Sequence, residues 1–369
     1  MNATRMIKVT AIVKRSLTRP LLSNLSSSGL SGYYVSSARS ITLQEKRGGL
    51  GLIHFFKLLE DAADMVTFFL DPAQEDQALD FVIKHCELTL PGRGSVFSEE
   101  VDLISPHGFH REVGFGDMEE GSFRKPSPLV GICCIVQRGE ANRVARVALD
   151  MGSGVPAVSF GTGTGIRDKL GLLRIAIPAQ KEVIHLALSP HDAETVMRMM
   201  IRGGELDRPG KGFMFNYPIR KGLVDTKITH GFRRHVASVE QIIATLDELK
   251  GDMGWRRRSE RQMLKIESRY FLSNLRDLTL LCNEGTGPDL VKQAMKAGAG
   301  GATISRWKYH CPHELKPKGL SSAREACNMC IAEAQVGRIA QALEEAGAFD
   351  DRASSEIVIR NTPKAYTYS

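Results

Sequence analysis

The stretch RGGELDRPGKGFMFNYPI, Arg202 to Ile219, ends a helical pattern, turns through Pro209-Gly210-Lys211-Gly212 and enters an alternating aromatic run. Glycines on both sides of a lysine let backbone N–H groups approach an anion closely while the ammonium supplies a point charge. The same residues also make an ordinary hairpin turn with a solvated lysine. What decides between the two is the surrounding chain, and whether the stretch recurs.

It recurs. Ahead of it the sequence reads as strand over 131–136, helix over 140–151, strand over 157–160, a glycine-rich loop over 161–165, strand over 183–188, the turn Ser189-Pro190 and helix over 192–201. The same order appears earlier. There, strand 7–13, helix 17–30 and strand 33–38 precede an excursion through Glu45-Lys46-Arg47-Gly48-Gly49. Strand 65–70, the turn Asp71-Pro72, helix 74–84, Pro91-Gly92-Arg93-Gly94 and strand 96–103 follow. Gly92-Arg93-Gly94 therefore occupies the slot of Gly210-Lys211-Gly212. A third pass runs through strand 278–281, helix 288–297, strands 302–305 and 327–332, helix 336–346 and strand 356–360, with Asp350 to Ser354 in place of the glycine turn. The expected divisions are a first repeat at 1–106, a linker at 107–127, a second repeat at 128–227, a linker at 228–274 and a divergent third repeat at 275–369.

Two helices on one face of a four-stranded sheet in βαββαβ order make the ferredoxin-like plan, so the fold class expected is α+β with three tandem units. Each repeat resembles a subunit of the PII signalling proteins and their PII-like relatives. The resemblance rests on the long loop between the second and third strands and on the Gly-Lys-x-Phe turn: Gly210-Lys211-Gly212-Phe213 in the second repeat, Gly92-Arg93-Gly94-Ser95-Val96-Phe97 in the first. It covers most of the chain and is weakest in the third repeat. PII proteins are trimers that bind ATP or ADP between subunits, so the resemblance implies a pseudo-trimer written in one chain, with ATP or ADP as cofactor. It implies Lys211 as a phosphate contact and Arg93 in the same role in the first repeat, with Gly210, Gly212, Gly92 and Gly94 as turn backbone. Arg220 and Lys221 would be further basic ligands, and Lys46, Arg47, Arg167 and Lys169 would belong to mobile loops facing a partner protein. The divergent third turn implies at most two competent clefts.

The remaining signals bound the function. The net charge of +7 over 369 residues suits an anionic effector and does not point to nucleic acid. Seven cysteines and no apolar segment after Met1 are expected of reduced thiols in the cytoplasm, and no apolar run reaches membrane-spanning length. Cys327 and Cys330, with Cys311 and His313 upstream, invite a metal site, but residues three apart on a strand face opposite sides, and no metal is expected. The tail His107-Gly108-Phe109-His110-Arg111 recurs as His230-Gly231-Phe232-Arg233. The capping box at Ser238 to Gln241 starts an amphipathic helix, and Trp255-Arg256-Arg257-Arg258 is either solvated linker or a surface for nucleic acid or an acidic partner protein. No nucleophile elbow, phosphate-loop signature or zinc-protease helix is present, so the expected function is a non-enzymatic regulator binding a small anionic effector and signalling to a partner protein. The alternative is a ligand-free accessory subunit acting as a docking platform.

Overall fold

Strand β1 (Thr4–Lys14), helix α1 (Arg15–Ser27), β2 (Tyr33–Arg47), β3 (His54–Leu70), α2 (Glu75–Cys86) and β4 (Gly94–Ile104) form the first segment of a computed structural model. The structure describes residues 3–30, 32–47, 54–106, 114–115, 123–165, 180–230, 271–311 and 316–368. The second segment repeats the order with β5 (Leu129–Gln137), α3 (Ala141–Asp150), β6 (Ala157–Gly165), β7 (Gln180–Leu188), α4 (Pro190–Gly203) and β8 (Gly212–Ile219). It is followed by the short strands β9 (Lys221–Leu223) and β10 (Thr229–His230). The third has β11 (Leu275–Asn283), α5 (Gly287–Lys296), β12 (Gly301–His310), β13 (Ala323–Ala332), α6 (Val336–Glu345) and β14 (Glu356–Thr362), then β15 (Ala365–Thr367). The fold is thus mixed α and β, with six α-helices among the described residues and one large, mostly antiparallel sheet.

Within each segment the strands lie in equivalent orders: β2-β3-β1-β4, β6-β7-β5-β8 and β12-β13-β11-β14. Between segments, β4 pairs with β14, β12 with β6, and β2 with both β6 and β12. The short strands interlock the segments further. Strand β9, from the second, pairs with β4 of the first, and β15, from the third, pairs with β8 of the second.

Side-chain alternation explains this packing, because successive residues of a strand face opposite sides. One face of each segment packs under its own helices: Leu21, Leu79 and Val82 in the first, Val144, Met197 and Met200 in the second, Leu290, Val291 and Ile339 in the third. The opposite faces are apolar too, and they bury against one another. One shared cluster joins Met6, Tyr34 and Phe69 to Leu281, Tyr309 and Val358; another joins Phe97 to Cys133, Phe215, Tyr217 and Ala365.

A buried carboxylate at one sheet position serves the first helix of every segment. Asp64, Glu182 and Glu325 lie opposite Val13, Val136 and Cys282 respectively. Asp64 Oδ2 accepts from Thr18 Oγ1 at 2.8 Å, Glu182 Oε2 from the backbone N–H groups of Gly139 and Ala141 at 2.9 and 3.0 Å, and Glu325 Oε2 from that of Gly287 at 2.9 Å. An acidic group satisfies otherwise orphaned donors of a helical first turn and complements the positive end of the helix dipole. Nothing in the spacing of these residues marks them in the sequence.

Where the non-helical faces meet, charges are buried. Lys8 Nζ pairs with Glu99 Oε1 at 3.0 Å, Arg360 Nη1 with Glu99 Oε2 at 2.6 Å, and Arg360 Nε with Asp277 Oδ2 at 2.7 Å. The guanidinium stacks 3.7 Å from the ring centroid of Tyr217. All three segments contribute. Burial pushes the Glu99 carboxyl upward, but Lys8 and Arg360 outweigh it and hold it below the usual carboxylate range. Lys8, Glu99, Tyr217 and Arg360 line a cavity of about 70 Å³ together with Thr10, Thr67 and Thr279.

Two expectations about loops are corrected. The run Gly161-Thr162-Gly163-Thr164-Gly165, read as the base of a loop, is the end of strand β6 and pairs with β12 through Gly165↔Gly301 to Thr162↔Ile304. Glycine is needed there because a Cβ on Gly161 would lie 2.7 Å from Thr303 Cγ2. The excursion over 44–57 is also largely strand, paired from Gln44↔Lys57 to Arg47↔His54, which places Lys46 and Arg47 on β2. Arg167 and Lys169, the residues of the recurring tails from Gly231 and over 107–111, the capping-box helix and the Trp255 to Arg258 cluster lie outside the described residues.

Candidate functional site

Three turns connect the second helix of each segment to its last strand, and their backbones match. After α2, Glu87 adopts φ 49°, Leu88 N–H donates to Ile83 O and Leu90 N–H to Glu87 O. After α4, Glu205 adopts φ 51°, Leu206 N–H donates to Ile201 O and Arg208 N–H to Glu205 O. After α6, Gly347 adopts φ 78°, Ala348 N–H donates to Leu343 O and Asp350 N–H to Gly347 O. The side chain that follows the left-handed residue is buried in each case, which anchors the turn to the helical core. The repeat Glu-Leu-x-x-Pro-Gly-basic-Gly at 87–94 and 205–212 carries this geometry in the sequence.

Gly92 and Gly210 have φ of 82° and 70°, which an L side chain adopts only under strain. Gly94 and Gly212 begin strands with no room for a side chain: a Cβ would meet Ile12 O at 2.1 Å and Ile135 O at 2.7 Å. Lys211 is half-buried, its Nζ 4.0 Å from Glu140 Oε1, and Gly210 O accepts from Gln137 Nε2 at 2.9 Å. Arg143 hydrogen bonds to Glu140 and to the carbonyls of Gly203 and Gly204, while Arg208 pairs with Glu205. This hydrogen bond to Arg143, with Lys211 adding to it, holds the Glu140 carboxyl below its usual range. Lys211, Arg143 and Arg208 at this edge thus face the carboxylates of Glu140 and Glu205, with the lysine partly exposed on its turn.

The first turn is covered. Gly92 N–H donates to Asp225 Oδ1 at 3.0 Å, and Asp225 arrives from the second segment, braced by Ser95 Oγ on its own N–H. Lys227 lies over Gly92, and Arg93 turns back to Cys86 O at 3.1 Å and to Glu87 at 2.7 Å. The adjoining cavity holds about 30 Å³, room for about one water. Thr42 Oγ1, which lines it, is buried without a partner. Asp225 and Lys227 were missed in the sequence because nothing local marks a tail that returns to a neighbouring segment.

Arg220 and Lys221 are brought to the first segment. Arg220 Nε pairs with Glu75 Oε1 at 3.0 Å and Nη1 with Glu100 Oε2 at 2.9 Å; Lys221 Nζ pairs with Asp76 Oδ2 at 2.6 Å and Glu75 Oε2 at 3.5 Å. Lys125 adds pairs to Asp76 and Asp80. The third turn differs again. Asn283 Nδ2 donates to Arg352 O, and the buried Arg324 donates to Ser354 O.

The cysteines do not converge. Cys327 is buried in the helix-side core beside Cys282, whereas Cys330 packs on the opposite face, where burial pushes its thiol up to about 12. His313 lies outside the described residues, and among those described no group of three His, Cys, Asp or Glu side chains could hold a metal. No helix among the described residues is long and apolar enough to cross a membrane.

No protein-family model matches the chain, and no curated protein matches it. Among solved structures, the B. subtilis GlnK–ATP complex aligns with 27% of this chain and 88% of its own at 17% identity and a TM-score of 0.24. CrmK, a flavoenzyme involved in shunt product recycling in caerulomycin biosynthesis, aligns with 91% of this chain and 60% of its own at 10% identity and a TM-score of 0.18. Superpositions this loose carry no argument about fold or function.

Proposed function

We propose that the chain is a PII-like cytoplasmic regulator, not an enzyme: three ferredoxin-like units arranged as an intramolecular pseudo-trimer that binds an adenine nucleotide or other small anionic effector and signals to a partner protein through its long loops. The observation that carries this reading is the recurrence of one turn, with one set of backbone hydrogen bonds, at the same place in three segments whose terminal strands interlock. Lys211 is the phosphate contact. Gly210 and Gly212 give the anion access to turn backbone, and the surrounding arginines favour negative charge. Arg93 marks a second cleft that opens only if Asp225 and Lys227 withdraw.

Thermal melts with ATP, ADP and inorganic phosphate test the proposal, since a ligand that binds only the folded chain raises its melting temperature by mass action. A rise with ATP or ADP that Lys211→Ala abolishes supports it. No rise with any of the three overturns it in favour of a second reading, a docking platform without ligand. That reading draws on Asp225 holding the first glycine N–H and on Glu75, Asp76 and Glu100 engaging Arg220 and Lys221.

A further inference from the structure

At one end of the junction, where β2, β6 and β12 pair with one another, the three segments enclose an open funnel of about 990 Å³. Its walls carry six cations, Arg15, Arg138, Lys181, Arg306, Lys308 and Arg324, against two carboxylates, Asp64 and Glu284, a net of +4. Arg15 meets Asp64 at 3.3 Å and Arg306 meets Glu284 at 3.2 Å, so the carboxylates in the wall are already engaged. Arg324 is fully buried; its Nη1 donates to Asn283 Oδ1 and its Nη2 to the carbonyls of Leu281 and Ser354, which leaves Nε without a hydrogen-bond partner. Phe160, 52% exposed, and Trp307 add aromatic surface.

We propose that this funnel binds a small ligand bearing several negative charges, phosphate or carboxylate, at a site separate from the glycine turns. Four physical points favour it. Like charges converging in a concave, low-dielectric wall focus the field and raise the local concentration of counter-charge. The cations come from all three segments and outnumber the carboxylates of the wall by four, so a ligand with several charges complements the funnel better than a singly charged one. Most stand on or beside strands, which hold their positions better than free loops do. The volume lies within the range of small-molecule sites, roughly 300–1,000 Å³. A ligand bridging the three segments would also tighten the junction, binding the assembled form better than any loosened one.

Trp307 reports on the funnel, and Trp255→Phe leaves it the sole tryptophan. Titrating that variant with tripolyphosphate is expected to give a saturable fluorescence change that weakens as KCl is raised. Adding Lys308→Glu or Arg138→Glu should weaken binding at least about ten-fold, on the scale of losing one charged contact, with the circular dichroism spectrum and melting curve retained. Arg306→Gln, on a side chain 84% exposed, serves if a charge reversal fails to fold. Lys211→Ala should titrate like its parent, which separates this site from the nucleotide reading. No saturable change with tripolyphosphate, equal affinity in every funnel variant, or binding of an acidic peptide such as decaglutamate but not of tripolyphosphate would each overturn the proposal, the last by making the occupant a protein segment.

Discussion

Burial pushes the Glu356 carboxyl up to about 7, with Tyr34 and Arg324 opposing the shift. Tyr34 Oη, from the first segment, donates to Glu356 Oε2 at 2.7 Å, so this titration takes place inside the joint between first and third segments. The folded chain holds this proton more tightly than the unfolded chain does, whose carboxyl titrates near 4.5. The ionised form is therefore a penalty, present in full above about 7 and relieved as pH falls towards 4.5. Urea unfolding at several pH values should show Glu356→Gln gaining stability over the wild type most at pH 8 and least near pH 5. A difference independent of pH would remove Glu356 from this role. At Gly131 the constraint is steric: a Cβ would lie 2.1 Å from the buried Tyr217 ring. Gly131→Ala should cost about 1–3 kcal/mol in the same measurement, as overpacking does. Neither effect was legible in the sequence. Gly131 reads as one more residue of an apolar strand, and Tyr34 lies 322 residues from its partner Glu356.

At the scale of elements the sequence was most informative where local chemistry decides. Ser189 caps α4 with Pro190 behind it, and Asp71 accepts from Ala73 N–H ahead of α2; both turns were read from those residues. The glycine turns were likewise visible, because positive φ demands glycine. Strand ends were less visible. Strand β6 continues through alternating glycine and threonine because β12 lies alongside, and propensity alone would end it at Phe160. Gly161→Val, which drives a branched side chain into Thr303 and the Ile304 carbonyl, should loosen that pairing. Hydrogen exchange should then quicken at the β6–β12 amides and leave those between β5 and β8 unchanged.

At the scale of the molecule, junctions between segments decide stability. Arg360→Met leaves Glu99 and Asp277, each 1% exposed, without their shared cation, and should cost about 3–5 kcal/mol. Arg5→Ala, which breaks the exposed pair with Glu100, should cost less than about 1 kcal/mol. Similar losses in equilibrium unfolding would mean the buried network does not join the segments. The pairing of β9 with β4 and of β15 with β8 was not legible in the sequence, since these short strands carry no pattern of their own.

Nucleotide binding at the Lys211 turn is tested most directly by a calorimetric titration of the intact chain with ATP and ADP, beside Lys211→Ala. Saturable binding to the wild type is expected, weakened by about 1.5–3 kcal/mol in Lys211→Ala, the scale of one charge-assisted hydrogen bond, with folding stability nearly unchanged. A well-folded Lys211→Ala chain that binds as the wild type does, or a wild type that binds neither nucleotide, would contradict it.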